Sequence, residues 1–338
     1  MSVSFVDLFP DQGRPDPPRS HLLRRLRVLR ISVTDLCNFR CRYCMPPEGV
    51  AKIRHGELPG LEELGDLAAW LTAHTNIEKI KLTGGEPLLR PGLGHLVASL
   101  TSLAAVREVS LTTNGSLLPQ MAWSLRAAGL ARVNISLDSL DEERFAEVTR
   151  GGRLKNTLAG IEAARQADLQ PIKLNSVLRR STWQREVPDL LDYAAENGLE
   201  IRFIELMRTG TERTWCESEF VSMGEVRSEL GLEIQAPAVD ELAAAPARRT
   251  SVNWHGCNVV VGWIAPRSHP FCGRCERLRM DARGHLRRCL MDPQLLDLPE
   301  LMRRIGPSAA WERTQSYLAG KTPPRKMDSA LAMNRIGG

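Results

Sequence analysis

Six apolar, strand-like runs alternate with helical patterns through residue 206 of this chain, and that rhythm constrains its fold more than any other feature. The runs are Leu29–Val33, Ile77–Thr83, Val106–Thr112, Val133–Leu137, Pro171–Leu178 and Glu200–Leu206. Between them, helical spacing recurs over Leu61–Leu71, Leu93–Leu103, Met121–Ala128, Asp141–Val148, Leu158–Ala167 and Glu186–Asn197. Such alternation predicts parallel strands joined by crossover helices. Six strands with helices outside would form an open, incomplete barrel rather than the closed eight-stranded one; on periodicity alone an open doubly wound sheet fits as well. Either way, catalytic groups belong at the C-terminal strand ends. Those ends are polar or glycine-rich: Thr34-Asp35, Thr83-Gly84-Gly85-Glu86-Pro87, Thr112-Thr113-Asn114-Gly115 and Ser136-Leu137-Asp138.

The rhythm breaks near residue 210. Residues 1–22 read as a polar, Pro-rich arm, 23–210 as the barrel, 211–329 as a smaller C-terminal domain and 330–338 as a tail ending Gly337-Gly338. The Ala- and Pro-rich stretch 236–250 reads as a surface connection. With 45 basic and 40 acidic residues the chain is only mildly basic, which gives no reason to expect a nucleic-acid partner but suits an anionic small substrate. No apolar run approaches a membrane span, and the N-terminal stretch lacks a signal core or transit pattern, so a cytoplasmic protein is expected. In that compartment its eight cysteines are metal ligands or free thiols rather than disulfides.

Three of them, Cys37, Cys41 and Cys44, follow the first strand with the spacing Cys-x3-Cys-x2-Cys. Iron–sulfur cubes are normally held by four thiolates, so three leave one iron open to another ligand. The amino and carboxylate groups of S-adenosylmethionine can fill that place. A structural zinc would want four ligands in two paired groups. The spacing, with Tyr43 before the last cysteine and a strand before the first, resembles the signature of the radical S-adenosylmethionine enzymes.

A second group, Cys272, Cys275 and Cys289, again offers three thiols. Cys257 is a candidate fourth ligand, and a zinc held with His269 or His285 is the plainer reading. Arg277 and Arg279 alternate on an extended segment between these cysteines and so point to one side. Arg30, Lys79, Lys81, Lys173 and Arg202 also lie on proposed strands. A single strand cation is ordinarily exposed at an edge; five destined for a barrel interior call for an anion, and a triphosphate would suit them. The glycines of Gly84-Gly85 let backbone approach a ligand closely.

Taken together, the stretches Leu29–Asp35, Lys81–Pro87, Leu111–Gly115, Asn134–Asp138 and Ile201–Glu205, the second cysteine group with Arg277-Leu278-Arg279, and Gly337-Gly338 are similar to the GTP 3',8-cyclase family of molybdenum cofactor biosynthesis. That resemblance implies an α/β fold, an incomplete (βα)6 TIM-like barrel whose smaller C-terminal domain carries a second iron–sulfur cluster. It implies two 4Fe-4S clusters, one on Cys37, Cys41 and Cys44 and one on Cys272, Cys275 and Cys289. It places S-adenosylmethionine against Tyr43, Gly84, Gly85, Glu86, Ser136, Asn175 and Met207. It places GTP against Arg30, Lys79, Lys81, Thr112, Lys173, Arg202, Arg277, Leu278 and Arg279, with guanine at the second cluster. Gly337 and Gly338 match a tail that reaches the active site, although a terminal Gly-Gly by itself reads as disorder.

The implied reaction starts with a 5'-deoxyadenosyl radical taking hydrogen from C3' of GTP. Attack of that carbon on guanine C8 gives 3',8-cyclo-7,8-dihydro-GTP. The implied partners are GTP, an electron donor and a downstream cyclic pyranopterin monophosphate synthase, with a homodimer as the assembly the resemblance allows. Two features depart from the family pattern: the long segment before Arg30, with Gly13-Arg14-Pro15 far upstream, and Leu36 where Arg or Lys is commoner. The rival readings are a peptide-modifying radical enzyme, which would ordinarily have more C-terminal cysteines, and a noncatalytic metal-binding module.

Overall fold

The computed structural model describes residues 25–51, 53, 57–210, 212–232, 234–235, 246–324, 328–329 and 333. The expected alternation is present. Strands β1 (Val28–Ser32), β2 (Lys79–Thr83), β3 (Glu108–Thr113), β4 (Arg132–Ser136), β5 (Lys173–Leu178) and β6 (Glu200–Glu205) pair in that order, all parallel. The crossovers are α1 (Leu61–His74), α2 (Leu93–Thr101), α3 (Leu118–Ala127), α4 (Glu142–Thr149), α5 (Leu154–Gln166) and α6 (Trp183–Asn197).

Alternation along each strand decides which face is which. Leu29, Ile31, Ile80, Leu82, Leu111, Val133, Ile135, Leu174, Ile201 and Phe203 are all fully buried and belong to one hydrophobic core with the helices. Burying each such side chain contributes roughly 1.5–3 kcal/mol before entropy is subtracted. The intervening positions are Arg30, Lys81, Thr112, Asn134, Asn175 and Arg202. A parallel sheet is ordinarily apolar on both faces. Here one face is polar and charged, which gives up core stability in return for a lined interior.

The C-terminal segment is hydrogen-bonded into the same sheet at both of its edges. After β7 (Arg208–Thr209), α7 (Arg213–Ser218), α8 (Met223–Glu229) and β8 (Ile234–Gln235) comes the hairpin of β9 (Arg248–Trp254) and β10 (Cys257–Ile264). Strand β10 adds parallel to β6. On the opposite edge β11 (Arg277–Met280) adds parallel to β1, followed by β12 (His285–Arg287) and β13 (Leu296–Asp297). A long helix α9 (Leu298–Ala319), broken at Gly306, and the short β14 (Asp328–Ser329) beside β7 complete the order. Strand β9 starts inside the stretch 236–250 read as a surface connection, of which 236–245 lie outside the described residues. Among the described residues no helix is long and apolar enough to cross a membrane. The arm 1–22 is outside the described residues.

Candidate active site

The C-terminal strand ends open on a cavity of about 500 Å³, and all six motif cysteines line it. Cys37, Cys41 and Cys44 stand on the loop after β1. That loop is fixed by backbone bonds from Arg40 N–H to Thr149 O (2.9 Å) and from Arg42 N–H to Val148 O (3.0 Å), at the end of α4. Cys272 lies in a single helical turn, Cys275 just before β11 and Cys289 just after β12, so strand pairing of β11 with β12 brings the three to one wall.

Among the described residues no group of three or more His, Cys, Asp or Glu side chains is placed to hold a single metal ion. Each triad instead opens on the cavity, as a cube of several atoms with one unligated corner requires. The candidate extra ligands lie elsewhere. Cys257 is exposed at the start of β10, and His285 sits between Asp281 (3.3 Å) and Asp297 (3.4 Å). His269 does not line the cavity; its ring contacts Ser268 (3.0 Å).

Around the first triad stand Tyr43, Gly84, Gly85, Glu86, Ser136, Asn175 and Met207, all lining the cavity. The Tyr43 hydroxyl donates to Asp138 Oδ2 at 2.6 Å, and the other oxygen of Asp138 accepts from Val177 N–H at 2.8 Å. Burial, then the Asp138 charge, pushes the Tyr43 phenol well above its ordinary range. Glu86 accepts from Thr113 Oγ1 (2.7 Å), Asn114 N–H (2.7 Å) and Leu88 N–H (3.0 Å), tying the end of β2 to the end of β3. Burial nevertheless raises its carboxyl to about 7. The two glycines also meet a packing demand. A Cβ on Gly84 would lie 2.5 Å from Thr34 O and one on Gly85 2.2 Å from Leu36 O. The loop after β1, which carries the cysteines, packs where those side chains would stand.

Strand register gathers the cations. Arg279 of β11 pairs with Arg30 of β1, which pairs with Lys81 of β2, so three cations lie side by side on adjacent strands. Burial, followed by repulsion from Arg30, Arg132 and Arg202, pulls the Lys81 ammonium well below its usual range. Burial, then Arg279 and Arg277, does the same to Arg30, and burial with Arg277 brings Arg279 down to about 10. Arg30, Lys81, Thr112, Arg202, Arg277 and Arg279 line the cavity. Lys79 and Lys173 do not; they are the first residues of their strands, beneath its floor. The Leu278 side chain packs in the hydrophobic core.

The sequence marks no role for Asp138 or Glu205, although Asp138 stands in a polar strand end and Glu205 closes the family-like stretch Ile201–Glu205. Glu205 is fully buried and accepts from Met223 N–H (3.1 Å), Arg267 N–H (3.0 Å) and Ser268 N–H (2.9 Å), fixing the loop after β10. Arg25 and Lys321 also line the cavity, with no motif to mark them. Gly337 and Gly338 lie outside the described residues; Met333 N–H donates to Cys44 O at 3.0 Å, which puts that residue beside the first triad.

A partial barrel with a cysteine triad at the end of its first strand defines the class, a radical S-adenosylmethionine enzyme. The Radical SAM superfamily model matches residues 31–194, and the Molybdenum Cofactor Synthesis C model matches residues 199–325. The GTP 3',8-cyclase of Pelotomaculum thermopropionicum is 42% identical over 282 residues, 83% of this chain and 86% of that protein. That of Streptomyces coelicolor is 39% identical over 321 residues, 92% and 93%. This chain belongs to the GTP 3',8-cyclase family. The crystal structure of Streptococcus suis SuiB bound to precursor peptide SuiA shares the fold, with a TM-score of 0.60 at 13% identity. The match covers 80% of this chain and 61%, less than two thirds, of SuiB.

Proposed function

We propose that this chain is a GTP 3',8-cyclase, catalysing the first step of molybdenum cofactor biosynthesis with two 4Fe-4S clusters and S-adenosylmethionine. The observation that carries the reading is a single cavity holding both cysteine triads and a register-matched row of cations, the buried Arg279 and the half-buried Arg30 and Lys81. Cations that repel one another in the interior are stabilised by an anion, and GTP brings several negative charges. Cys37, Cys41 and Cys44 would hold one cluster, and Cys272, Cys275 and Cys289 the other. When bound, the first cluster supplies the electron that cleaves S-adenosylmethionine to methionine and the 5'-deoxyadenosyl radical.

The chain's own part is placement. Gly84 to Glu86 pack on the cysteine loop, and with Tyr43, Ser136, Asn175 and Met207 they form the wall for S-adenosylmethionine. Arg30, Lys81, Thr112, Arg202 and Arg277–Arg279 orient GTP so that C3' meets the radical and C8 lies near C3', with Lys79 and Lys173 adding positive charge from beneath. Residues 322–324 and Met333 line part of the cavity and help to exclude water, and the family resemblance assigns Gly337 and Gly338, outside the described residues, to the same site. An external electron donor is needed, and a cyclic pyranopterin monophosphate synthase would consume the product. We place the enzyme in the cytoplasm, where its eight free cysteines would stay reduced, and a homodimer is an assembly the family resemblance allows.

The test is anaerobic. The protein is reconstituted with iron and sulfide, reduced, and given S-adenosylmethionine and GTP while both products are followed by mass spectrometry. GTP-dependent 5'-deoxyadenosine together with a cyclised guanine nucleotide is the expected outcome. 5'-Deoxyadenosine with GTP unchanged would point to another substrate, and neither product from iron-loaded protein would refute the radical enzyme.

A further inference from the structure

Charged residues also stand at the opposite, N-terminal ends of the strands: Lys79, Glu108, Arg132, Lys173 and Glu200 each begin theirs. Charges there ordinarily serve stability rather than chemistry. Part of this ring fits that description. Arg132 and Glu108 face each other at 2.7 Å, one charge against one.

Glu200 does not fit it. Its side chain is only 5% exposed, yet it meets three cations from three strands: Lys173 Nζ at 3.1 Å, Arg202 Nε at 2.6 Å and Arg249 Nε at 3.2 Å. A buried carboxylate needs a partner, but one cation would suffice, and each further buried cation adds its own desolvation cost. The arrangement carries an excess of positive charge, and Arg202 presents that excess to the cavity. The neighbouring strand makes room for it. Gly262 of β10 stands opposite Arg202 in register, and a Cβ there would meet Arg202 Cγ at 2.8 Å. Arg249 of β9 pairs with the same Gly262, so the three positions lie in one row across β6, β10 and β9.

We propose that Glu200 is a positioning residue for the nucleotide's phosphates, fixing Arg202 at the cavity and keeping Lys173 charged beneath it, and that Arg249 joins this anion site from the C-terminal segment. The inference rests on the GTP reading of the cavity and extends it to residues that no motif marks. The groups facing Lys173 are Glu200 and Arg202 of β6, Arg132 of β4 and Arg249 of β9, bound to the same carboxylate. Burial, then repulsion from Arg202, brings the Lys173 ammonium down to about 8, with Glu200 alone among these groups holding it up. Phosphate binding favours the charged ammonium. GTP affinity should therefore be full below that pH and fall as pH rises through it, by at most about tenfold per pH unit for one linked proton.

The experiment is equilibrium dialysis of GTP, and of guanosine as a phosphate-free control, against reconstituted protein without reductant or S-adenosylmethionine, from about pH 6.5 to about pH 9.5. In wild type, GTP affinity is expected to fall as pH rises through about 8. In E200Q that fall should begin at least about one pH unit lower, with GTP bound about tenfold more weakly near neutrality, and E200D should restore most of both. Guanosine should bind all three alike. An E200Q curve that superposes on wild type overturns the proposal, as does an equal loss at every pH for GTP and guanosine, which is the mark of a damaged fold. Should E200Q fail to fold, R249Q decides: weaker GTP with unchanged guanosine binding supports the shared anion site, and unchanged GTP binding overturns it. Wild type that binds no GTP at any pH would remove the GTP reading and the inference with it.

Discussion

The two cysteine triads share a cavity but not an electrostatic setting. Around the first, burial raises the thiols and carboxylates add to it: Cys37 is pushed to about 11 with Glu86 contributing, and Cys41 is raised with Asp138 contributing. Around the second, burial also acts upward, but Arg277 and Lys321 overcome it at Cys275 and bring that thiol down to about 6. At Cys272 burial and the two fellow cysteines outweigh the same Arg277 and Lys321, and the thiol is raised to about 11. The difference matches what each open corner would meet. A sulfonium is a cation and is favoured near carboxylates; a nucleotide is an anion and is favoured near guanidinium groups. One cavity can therefore hold two charged small molecules in a fixed order without a wall between them.

The sharpest way to break this comparison is to remove one cysteine from each triad. Cys41→Ala should abolish both 5'-deoxyadenosine and cyclised nucleotide. Cys275→Ala should leave 5'-deoxyadenosine detectable and cut the cyclised product at least about a hundredfold, the loss expected when a substrate is misplaced. Product quantification by mass spectrometry separates the two. Equal loss of both products in both variants would mean that the triads do not divide the work.

Next in size is the charge beside the second triad. The Arg277 guanidinium stands 5.0 Å from the Phe271 ring and lines the cavity. Arg277→Ala should remove charge-assisted bonds worth about 1.5–3 kcal/mol, raising the KM for GTP about ten- to a hundredfold. The first triad should still bind its iron and cleave S-adenosylmethionine slowly. A steady-state KM for GTP near the wild-type value would rule the contact out.

A smaller effect is expected at the first site from Gly85→Ala. The new methyl meets backbone rather than a flexible side chain, at 2.2 Å from Leu36 O, so the loop after β2 must shift off the cysteine loop. A rise of about tenfold in the KM for S-adenosylmethionine is expected, a loss of about 1.4 kcal/mol, with GTP binding unaffected. Titration of each ligand by itself would show whether the change stays on one side of the cavity.

Why some of this could be read from the sequence and some could not follows from range. The first triad is local: its three ligands lie within eight residues of one loop, after a strand whose apolar alternation is plain. Arg30 and Lys81 were legible as cations at inward positions of strands. The second triad depends on the β11–β12 hairpin to bring Cys289 beside Cys272 and Cys275; spacing grouped the three but left a zinc site open, and only the resemblance made them cluster ligands. Glu200 and Arg249 meet across 49 residues through β10 sitting between their strands, a pairing that no periodicity encodes. Helix α9 was missed for a physical reason: Gly306, at φ 77°, and Pro307 interrupt its pattern midway. The attachment of C-terminal strands to both barrel edges is likewise a matter of topology, and it is what carries Arg279 to the side of Arg30.

The bracing of the two triads differs as well, and this gives the mildest test. Backbone bonds to α4 fix the first loop, and no side-chain substitution can delete them. The loop carrying Cys289 depends on side chains of α9. The Tyr317 hydroxyl donates to Leu286 O and Gln294 O, both at 3.1 Å, and the Arg288 guanidinium lies 4.7 Å from its ring while bonding Asp292 at 2.6 Å. Lys321 Nζ donates to Arg288 O from just beyond the helix end. Tyr317→Phe keeps the ring and its cation contact but removes the hydroxyl, costing about 1 kcal/mol. That loss should fall on one loop, because the hydroxyl touches nothing of the first triad. Under mild chelation the variant should release iron from the second site several-fold faster than wild type while the first site holds its own, in keeping with the weight of outer-shell groups at metal centres. Iron counts and the electron paramagnetic resonance signal of each cluster would follow the two sites separately. Equal release from both would mean that the bracing is shared and that α9 supports the cavity as a whole.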